Sequence, residues 1–373
     1  MNGDMRPLFD AYPRLREGVP FVALGVFPTP VARMEHLEET LRSEMGDGRL
    51  YVKRDDLSGQ PYGGNKVRKL EFLLGRAVRE GRKAVLTFGA AGSNHALATA
   101  IYAKQLGLRS ISMLTPQPNT LSVRRNLLMS HHVGAELHHS PSMKRVAVAA
   151  VCQLALHRVR DGAFPYVIPP GGSAPTGILG FVNAAFELKQ QIADRVLPEP
   201  DCLYAASGTM GTVVGLLLGL RAAGLRTRVV AVRVTDERFT SLRKAGYLFD
   251  KTNALLHRAD PSFPRFPFPS DKLQFRNEFY GPGYAVYTEE GMRAVRRIQE
   301  TEGLRLEGVY TGKTFAAVLA DAQAGLLRDQ KVLFWNTYNS HDFRAEIEGL
   351  DYPLLPRAFH RYFEEEVQAL ERS

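Results

Sequence analysis

The stretch "PYGGNKVRKLE", residues 61–71, places two glycines, an asparagine and a lysine directly before an amphipathic pattern. A lysine at the start of a helix faces the positive end of the helix dipole, which weakens the helix. That cost is acceptable where the protein gains something from an amine at this position. Lys66 is therefore the first candidate functional residue.

The residues that follow have the spacing of a helix. Four apolar side chains share one helical face: Val67, Leu70, Leu74 and Ala77. Gly81 suits the position just past the end of such a helix. We predict a helix here that turns this face to the core.

Composition limits the class of protein. The chain has 373 residues, 45% of them hydrophobic, which is enough for two domains with a real core. The longest apolar run, 212–220, is shorter than a membrane span, and the amino-terminal residues lack the apolar stretch of a secretory signal. Cys152 and Cys202 lie far apart in the sequence, which indicates two free thiols in a reducing compartment. We expect a cytoplasmic protein without a membrane partner.

The net charge of +9 comes from scattered basic residues, and no nucleic-acid motif accompanies them. We expect no nucleic-acid partner. An anionic small ligand would give the charge a use, and solubility alone also explains it.

Strand-like and helix-like segments alternate along the chain, which predicts an α/β protein with mostly parallel sheets. The strand candidates are 83–88, 110–114, 166–169, 201–207, 228–234 and 331–337. The segment 239–275 mixes proline, phenylalanine and charge without a period, and we interpret it as a long surface excursion.

Three loops rich in glycine and hydroxyl groups follow predicted strands: "GAAGSNH" (89–95), "PGGSAPTG" (170–177) and "SGTMGT" (207–212). Ligands of parallel sheets bind at the carboxyl ends of strands, so these loops indicate a bound anion or polar cofactor. The loop 207–212 precedes a helix and has the composition of a phosphate cradle, although an ordinary tight turn would use the same residues.

Other ligands fit the sequence less well. The segment "GAAGSNHALA" imitates a dinucleotide fingerprint, but the next strand lacks the acidic residue that holds a ribose. In "GVYTGKT" (308–314), three residues separate Gly308 from Gly312, whereas the Walker motif requires four. The histidines of "HHVGAELHH" (131–139) have no familiar zinc spacing, and we expect no metal.

A lysine placed at a helix start, a phosphate loop and hydroxyl-lined loops together indicate pyridoxal phosphate. The lysine amine forms an imine with the aldehyde of this cofactor, and a loop holds its phosphate. Such a lysine must be neutral for part of the time, and burial and a helix amino terminus both lower its pKa.

Six motifs support this reading: "YVKRDDLSGQPYGGNKVRKLEFLL", "SNH", "PPGGSAPTGILGFVNAAFEL", "GTMGTVVGL", "GPGYAVYTEEG" and "GVYTGKT". In this order, between Tyr51 and Ser340, they resemble the aminocyclopropane-carboxylate deaminase and D-cysteine desulfhydrase family. The resemblance implies a two-domain α/β fold of the tryptophan synthase β type, fold type II, with twisted, mostly parallel sheets flanked by helices. It implies a large domain of residues 1–66 and 179–373, an inserted small domain of 67–178, and a cofactor between them.

The resemblance also implies the residues of the site. Lys66 would form the imine and move the α-proton, and the hydroxyls of Tyr284 and Tyr310 would lie in the active site. The cofactor contacts would come from Asn65, Asn94, Gly208, Thr209, Met210, Gly211, Thr212 and Thr311. The loop of Ser93, Asn94 and His95 would receive the substrate carboxylate, with Ser93 counted among the catalytic residues.

The expected substrate follows from two positions. Ring-opening members carry a glutamate and a leucine where this chain has Thr311 and Thr337, and desulfhydrase-like members carry hydroxyl residues there. A hydroxyl opposite the pyridine nitrogen leaves that nitrogen neutral, which favours elimination over ring opening.

The chain also departs from the family. Asn336, Tyr338 and Asn339 replace a histidine and two glycines in a late loop, where Thr337 and Tyr338 are expected to contact substrate. Gly92 and Leu97 replace a glutamine and an arginine. D-Cysteine is therefore one candidate substrate, and a specialised amino acid is another.

We expect a homodimeric lyase that removes the α-proton of a small amino acid, expels a β-substituent and yields an α-keto acid and ammonia. The alternatives are β-replacement, aminocyclopropane-carboxylate deamination, which Thr311 and Thr337 disfavour, and a cofactor-binding protein without turnover. The intact Lys66 argues against the last of these.

Overall fold

The computed structural model describes residues 6–372, which form two compact units. The first unit contains the residues up to Val19, Gly25–Lys69 and Ser173–Ser340. The second unit contains Pro20–Leu24, Leu70–Gly172 and the residues from His341 onward. The predicted domain limits assign the last of these segments to the large domain. The predicted domain limits stay a prediction, because compact units need not coincide with independently folding domains.

The described residues form ten strands. In chain order they are β1 (Val31–Arg33), β2 (Arg49–Arg54), β3 (Ala84–Ala90), β4 (Arg109–Thr115), β5 (Glu136–His139), β6 (Tyr166–Ile168), β7 (Cys202–Ser207), β8 (Arg228–Arg233), β9 (Leu273–Arg276) and β10 (Lys331–Asn336).

The α-helices of the same residues vary from single turns to five turns. They are α1 (Pro7–Ala11), α2 (Leu15–Gly18), α3 (Glu35–Thr40), α4 (Arg42–Met45), α5 (Lys66–Arg79), α6 (Asn94–Gln105), α7 (Leu121–His132), α8 (Met143–Asp161), α9 (Pro175–Ala193), α10 (Gly211–Ala223), α11 (Leu242–Ala259), α12 (Glu289–Glu302), α13 (Thr311–Gln323), α14 (Arg344–Ile347), α15 (Arg361–Glu364) and α16 (Ala369–Arg372).

The first unit is built on a six-stranded sheet with the order β1-β2-β10-β7-β8-β9. Only β1 runs antiparallel to its neighbour within this sheet. Strand β10 lies between β2 and β7, with Asn336 paired to Arg54 and Phe334 paired to Tyr204. The carboxyl ends of these three parallel strands therefore meet at one edge of the sheet, where ligands of α/β proteins bind.

Helices cover both faces of this sheet. On one face Phe181 of α9 contacts Trp335, and on the other Phe315 of α13 contacts Phe334. Helices α9 and α10 approach closely, because a Cβ at Gly215 of α10 would lie 2.4 Å from the Cβ of Phe181. Glycine at this position lets the two helices bury their apolar faces together.

The second unit contains a parallel four-stranded sheet with the order β5-β4-β3-β6. Its core includes Leu86 of β3 and Ile111 of β4, which belong to one buried cluster with Val146 of α8. The loop after β3 leads into α6, which begins at Asn94.

The strand and helix predictions are largely confirmed. All six predicted strands are present as β3, β4, β6, β7, β8 and β10. The predicted helix is α5, its four apolar residues are fully buried, and Gly81 has a φ of +64°. The reading of 239–275 as a surface excursion is wrong, because Leu242–Ala259 is a helix. Its buried residues Ala245, Leu248, Phe249, Thr252 and Leu256 have helical spacing, which the flanking prolines and charges obscured.

Among residues 6–372, no helix combines the length and apolar character that crossing a membrane requires.

Candidate functional site

Lys66 is the first residue of α5, directly after a turn that only glycine can make. Gly64 has a φ of +86°, and a Cβ there would lie 2.8 Å from the carbonyl oxygen of Tyr338. A Cβ at Gly63 would lie 2.1 Å from the carbonyl oxygen of Asp56. The two glycines therefore bring the chain close to its neighbours and fix where the helix begins.

The amine of Lys66 is connected to a second loop by side-chain hydrogen bonds. Lys66 Nζ donates to Asn65 Oδ1 at 2.8 Å, and Asn65 Nδ2 donates to Thr212 Oγ1 at 3.0 Å. Burial lowers the pKa of Lys66 to about 8, although Glu307 opposes this shift. A substantial fraction of this amine is thus neutral near pH 8, as a nucleophilic amine or a base requires.

The loop 208–212 joins β7 to α10 at the carboxyl edge of the sheet. Met210 has a φ of +74°, and Gly211 N donates to Ser173 Oγ at 3.1 Å. Thr209 Oγ1 shares a hydrogen bond of 2.7 Å with the same hydroxyl. The carbonyl of Gly208 accepts hydrogen bonds from threonine hydroxyls outside the loop. The loop thus opens a 13-residue helix with small residues, which is the arrangement of an anion site.

The amine of Lys69, which lies on the same helix as Lys66, is close to this loop. A Cβ at Gly211 would lie 2.8 Å from Lys69 Nζ and 2.5 Å from Ser173 Oγ. Burial lowers the pKa of Lys69 well below its usual value, and the nearby amine of Lys66 lowers it further. A bound phosphate would stabilise the charged form of the Lys69 amine, so these residues fit a phosphate-bearing cofactor.

Lys69 was not predicted as a site residue, although its spacing of three residues from Lys66 could have indicated it. Residues three apart lie on the same helical face.

A pair of tyrosines and a carboxylate lie at the amino end of α13. The hydroxyls of Tyr284 and Tyr310 are 2.5 Å apart. Burial, followed by the proximity of Tyr284, raises the pKa of Tyr310 well above its usual value. Burial is also the main cause that raises the pKa of Tyr284. Both hydroxyls therefore keep their protons at neutral pH.

Glu307 caps the amino end of α13 with its carboxylate, and the sequence did not predict it as a site residue. Its Oε1 accepts from the amides of Tyr310 at 2.7 Å and Thr311 at 2.9 Å, and its Oε2 accepts from Val309 N at 2.8 Å. Burial raises its pKa, and the three amides oppose that shift. No local pattern indicates a carboxylate that acts on Lys66 from a distance of more than 200 positions in the sequence.

Thr311 takes part in the same turn. Its Oγ1 accepts from Glu307 N at 2.9 Å, so the two residues cap each other through side chain and backbone. This bond gives Thr311 a structural role. Its expected position opposite the pyridine nitrogen stays a prediction.

The lysine of the Walker-like segment has a structural contact. Lys313 Nζ donates to the carbonyl oxygen of Tyr280 at 2.6 Å, and the side chain is buried. Burial lowers its pKa to about 8, against the opposing effect of Glu307.

The late loop of residues 336–340 supports the glycine turn. Thr337 O accepts from Asn65 N at 3.3 Å, and Asn339 Oδ1 accepts from Gly63 N at 2.7 Å. Tyr338 is buried, and its carbonyl lies against Gly64. These contacts bring the backbone of Thr337 and Tyr338 against the turn that precedes Lys66. Their expected contact with substrate stays a prediction.

The predicted carboxylate loop lies in the second unit, after β3. Ser93 caps α6 by accepting from Ala96 N at 3.2 Å, and Asn94 Oδ1 accepts from Asn126 Nδ2 at 2.9 Å. His95 is buried. A Cβ at Gly92 would lie 2.7 Å from Val123 Cγ2, which explains why the family's glutamine would not fit there without a shift. The roles of Ser93, Asn94 and His95 toward a substrate stay predictions.

Among residues 6–372, no group of three or more histidine, cysteine, aspartate and glutamate side chains is placed to hold a metal ion.

Comparison with known proteins gives consistent matches over most of the chain. Residues 22–337 match the family described as "Pyridoxal-phosphate dependent enzyme". A putative 1-aminocyclopropane-1-carboxylate deaminase of Pyrococcus horikoshii is 33% identical over 322 residues, which is 85% of this chain and 91% of that protein. A D-cysteine desulfhydrase of Yersinia enterocolitica is 33% identical over 319 residues, covering 83% of this chain and 90% of that protein.

A crystal structure of an ACC deaminase homologue superimposes with a TM-score of 0.73 at 30% identity, and the match covers 92% of this chain and 98% of the other.

Proposed function

Since the chain belongs to the family of pyridoxal-phosphate-dependent enzymes, we propose that it eliminates a β-substituent from a small amino acid and releases an α-keto acid and ammonia. The cofactor is pyridoxal phosphate, and the enzyme is of the aminocyclopropane-carboxylate deaminase and D-cysteine desulfhydrase type. The substrate we propose first is D-cysteine, on which the relatives named D-cysteine desulfhydrase act.

One observation carries the proposal: Lys66 has a lowered pKa and is linked through Asn65 to Thr212 in the loop 208–212. Lys66 would hold the cofactor, and the loop with Lys69 would hold its phosphate. When bound, pyridoxal phosphate draws electrons from the α-carbon of an amino acid and so makes the α-proton acidic.

The residues of the chain would then move the protons. Lys66 Nζ takes the α-proton, because its lowered pKa keeps part of the amine neutral. The hydroxyls of Tyr284 and Tyr310 stay protonated, because burial raises their pKa, and one of them would give a proton to the leaving thiolate. With cysteine, the C–H and C–S bonds break and one water is consumed. The products are pyruvate, ammonia and hydrogen sulfide.

The test is a screen of D- and L-amino acids with the purified holoenzyme, in which keto acid and ammonia are measured together. We expect equal amounts of pyruvate, ammonia and sulfide from D-cysteine, and none of them with Lys66→Ala. Sulfide release without keto acid or ammonia, and only when a second thiol or amine is added, would show β-replacement and would contradict elimination.

Aminocyclopropane carboxylate is the decisive comparison substrate in this screen. We expect no useful ketobutyrate production from it, because Thr311 supplies a neutral hydroxyl where ring-opening members carry a carboxylate. Rapid ketobutyrate release would instead favour the activity named for the relative from Pyrococcus horikoshii.

A further inference from the structure

The amide of Asn336 contains a buried donor that the protein does not use. The residue is fully buried at the end of β10, and its Oδ1 accepts from Tyr338 N at 3.2 Å. That bond fixes the orientation of the amide, because the flipped form would bring two donors together. Nδ2 has no hydrogen-bond partner among the residues that the structure describes. An unpaired buried donor is destabilising, so one is expected to meet a partner that the protein alone does not supply.

The alternation of β10 shows which side of the sheet this amide is on. Phe334 contacts Phe315 of α13, whereas Trp335 contacts Phe181 of α9. Successive side chains of a strand point to opposite faces, so Asn336 is on the face of Phe334, which α13 covers. The amino end of α13 is where Glu307 and Tyr310 lie.

The position of Asn336 along the strand also brings it to the site. It is the last residue of β10, at the edge where the loop 208–212 follows β7. The carbonyl of the next residue, Thr337, accepts from Asn65 N, directly before Lys66. Asn336 is therefore one residue away from the backbone contact that fixes the lysine turn.

We propose that Asn336 Nδ2 donates a hydrogen bond to an acceptor atom of the ligand held at Lys66. The acceptor belongs either to the pyridoxal ring or to the amino acid bound with it, and both offer oxygen or nitrogen lone pairs. This inference rests on the proposed function, since it assumes that a cofactor and an amino acid bind at Lys66. It also gives the replacement of the family's histidine by Asn336 a physical meaning, because both side chains can donate through a nitrogen.

The test variant is Asn336→Asp, which keeps an oxygen for Tyr338 N and replaces the donor nitrogen with a second oxygen; the ionisable group that this adds is matched in the control. Asn253→Asp is the matched control in the same unit. Asn253 Oδ1 also accepts from a backbone amide, that of Phe266, but its Nδ2 donates to the carbonyl of Pro264. Asn336→His restores a donor, and Asn336→Leu replaces the aspartate variant if that variant does not fold.

Two readouts separate the two sources of the acceptor. The first is the rate at which the visible band of the bound cofactor is lost when the holoenzyme is diluted. The second is the concentration of D-alanine or L-alanine that half-saturates the spectral change of the holoenzyme, since alanine binds without a leaving group.

If the ring is the acceptor, Asn336→Asp releases cofactor about 10-fold faster, whereas an amino-acid acceptor weakens alanine binding about 10-fold. Asn336→His is expected to stay close to wild type in the affected readout. Asn253→Asp lowers the melting temperature and changes neither readout.

Unchanged cofactor release and unchanged alanine binding in both Asn336→Asp and Asn336→Leu would overturn the proposal. The readouts do not depend on turnover. Negative results in the keto-acid screen would therefore refute elimination and leave the role of Asn336 to be decided by the spectra.

Discussion

At the scale of single residues, the position of Lys66 disfavours its charged form and therefore favours the neutral amine that the proposed chemistry needs. The start of α5 is a poor place for a positive charge, and burial makes the charged form less favourable still. Both effects favour the neutral amine. Glu307 partly offsets the effect of burial, and the resulting pKa of Lys66 is about 8.

Replacing Lys66 and Lys69 one at a time separates covalent chemistry from phosphate binding. Lys66→Ala should abolish the visible cofactor band and all turnover. Lys69→Ala should keep the covalent link but release cofactor roughly 10-fold faster, since the Lys69 amine lies beside Gly211.

Borohydride reduction and peptide mapping check this assignment. A pyridoxyl label on Lys69 or Lys313 instead of Lys66 would refute it. Wild-type retention of cofactor in Lys69→Ala would show that the helix amino terminus holds the phosphate without this amine.

The pKa of Lys66 predicts how cofactor uptake depends on pH. Because only the neutral amine attacks an aldehyde, the rate at which cofactor-free protein takes up pyridoxal phosphate should rise with pH and level off above about 8. Glu307→Gln should move the midpoint to lower pH, since it removes the negative charge that favours the protonated amine. A wild-type midpoint near that of an exposed lysine, about 10.4, would show that the amine is not desolvated.

At the scale of elements, hydrogen bonds join the late loop of residues 336–340 to the glycine turn before Lys66. Asn339 is far from Gly63 in sequence, yet it provides the acceptor for the turn's amide. From the sequence, Thr337 and Tyr338 of the loop 336–340 are expected to contact the substrate. The hydrogen bond shows that Asn339 also stabilises the turn that presents Lys66.

Asn339→Ala should therefore weaken the site rather than widen it. We expect a loss of about 1 to 3 kcal/mol in the free energy of unfolding, because Gly63 N would be buried without an acceptor. Thermal unfolding of the holoenzyme measures this loss, and Asn339→Asp is the control, since it keeps the acceptor. An equal loss in both variants would mean that the amide acts through packing and not through its bond to Gly63.

At the scale of the whole molecule, a buried ionic network ties the first unit together. Arg68 of α5 binds Asp55, which follows β2, and Glu187 of α9, and Lys53 binds Glu187 at 2.6 Å. All four side chains are almost fully buried. Burial opposes ionisation of Glu187, but Arg68 and Lys53 outweigh it and lower its pKa to about 2. Its share of stability is complete above about pH 4.3 and is lost as the pH falls toward 2.

Arg68→Met should be strongly destabilising, because it leaves two buried carboxylates with one lysine. We expect a loss of about 3 to 5 kcal/mol in the free energy of unfolding, measured with denaturant. Arg293→Met, which breaks contacts between exposed side chains on α12, should cost at most about 1 kcal/mol. Similar losses in both variants would show that burial does not decide the energetics of these pairs.

The family match and the structural superposition confirm the predicted fold type II and its α/β sheets flanked by helices. The local sequence pattern was sufficient to predict the main strands and helix α5. Runs of β-branched and apolar residues marked the strands, and the helical period of Val67, Leu70 and Leu74 marked α5. The block around Lys66 indicated the cofactor, because a lysine at a glycine-rich helix start combines several constraints within a few residues.

The sequence by itself thus determined six of the ten strands of the described residues, the main site helix, the family and the cofactor, since each strand, helix or motif depends on residues that are close together in the chain. Only the tertiary structure decided that Glu307 acts on Lys66, that Lys69 lies beside Gly211 and that Asn339 accepts from Gly63. These contacts join residues up to 276 positions apart. Their energies depend on burial and hydrogen-bond geometry, which arise only when the sheet brings its strand ends to one edge.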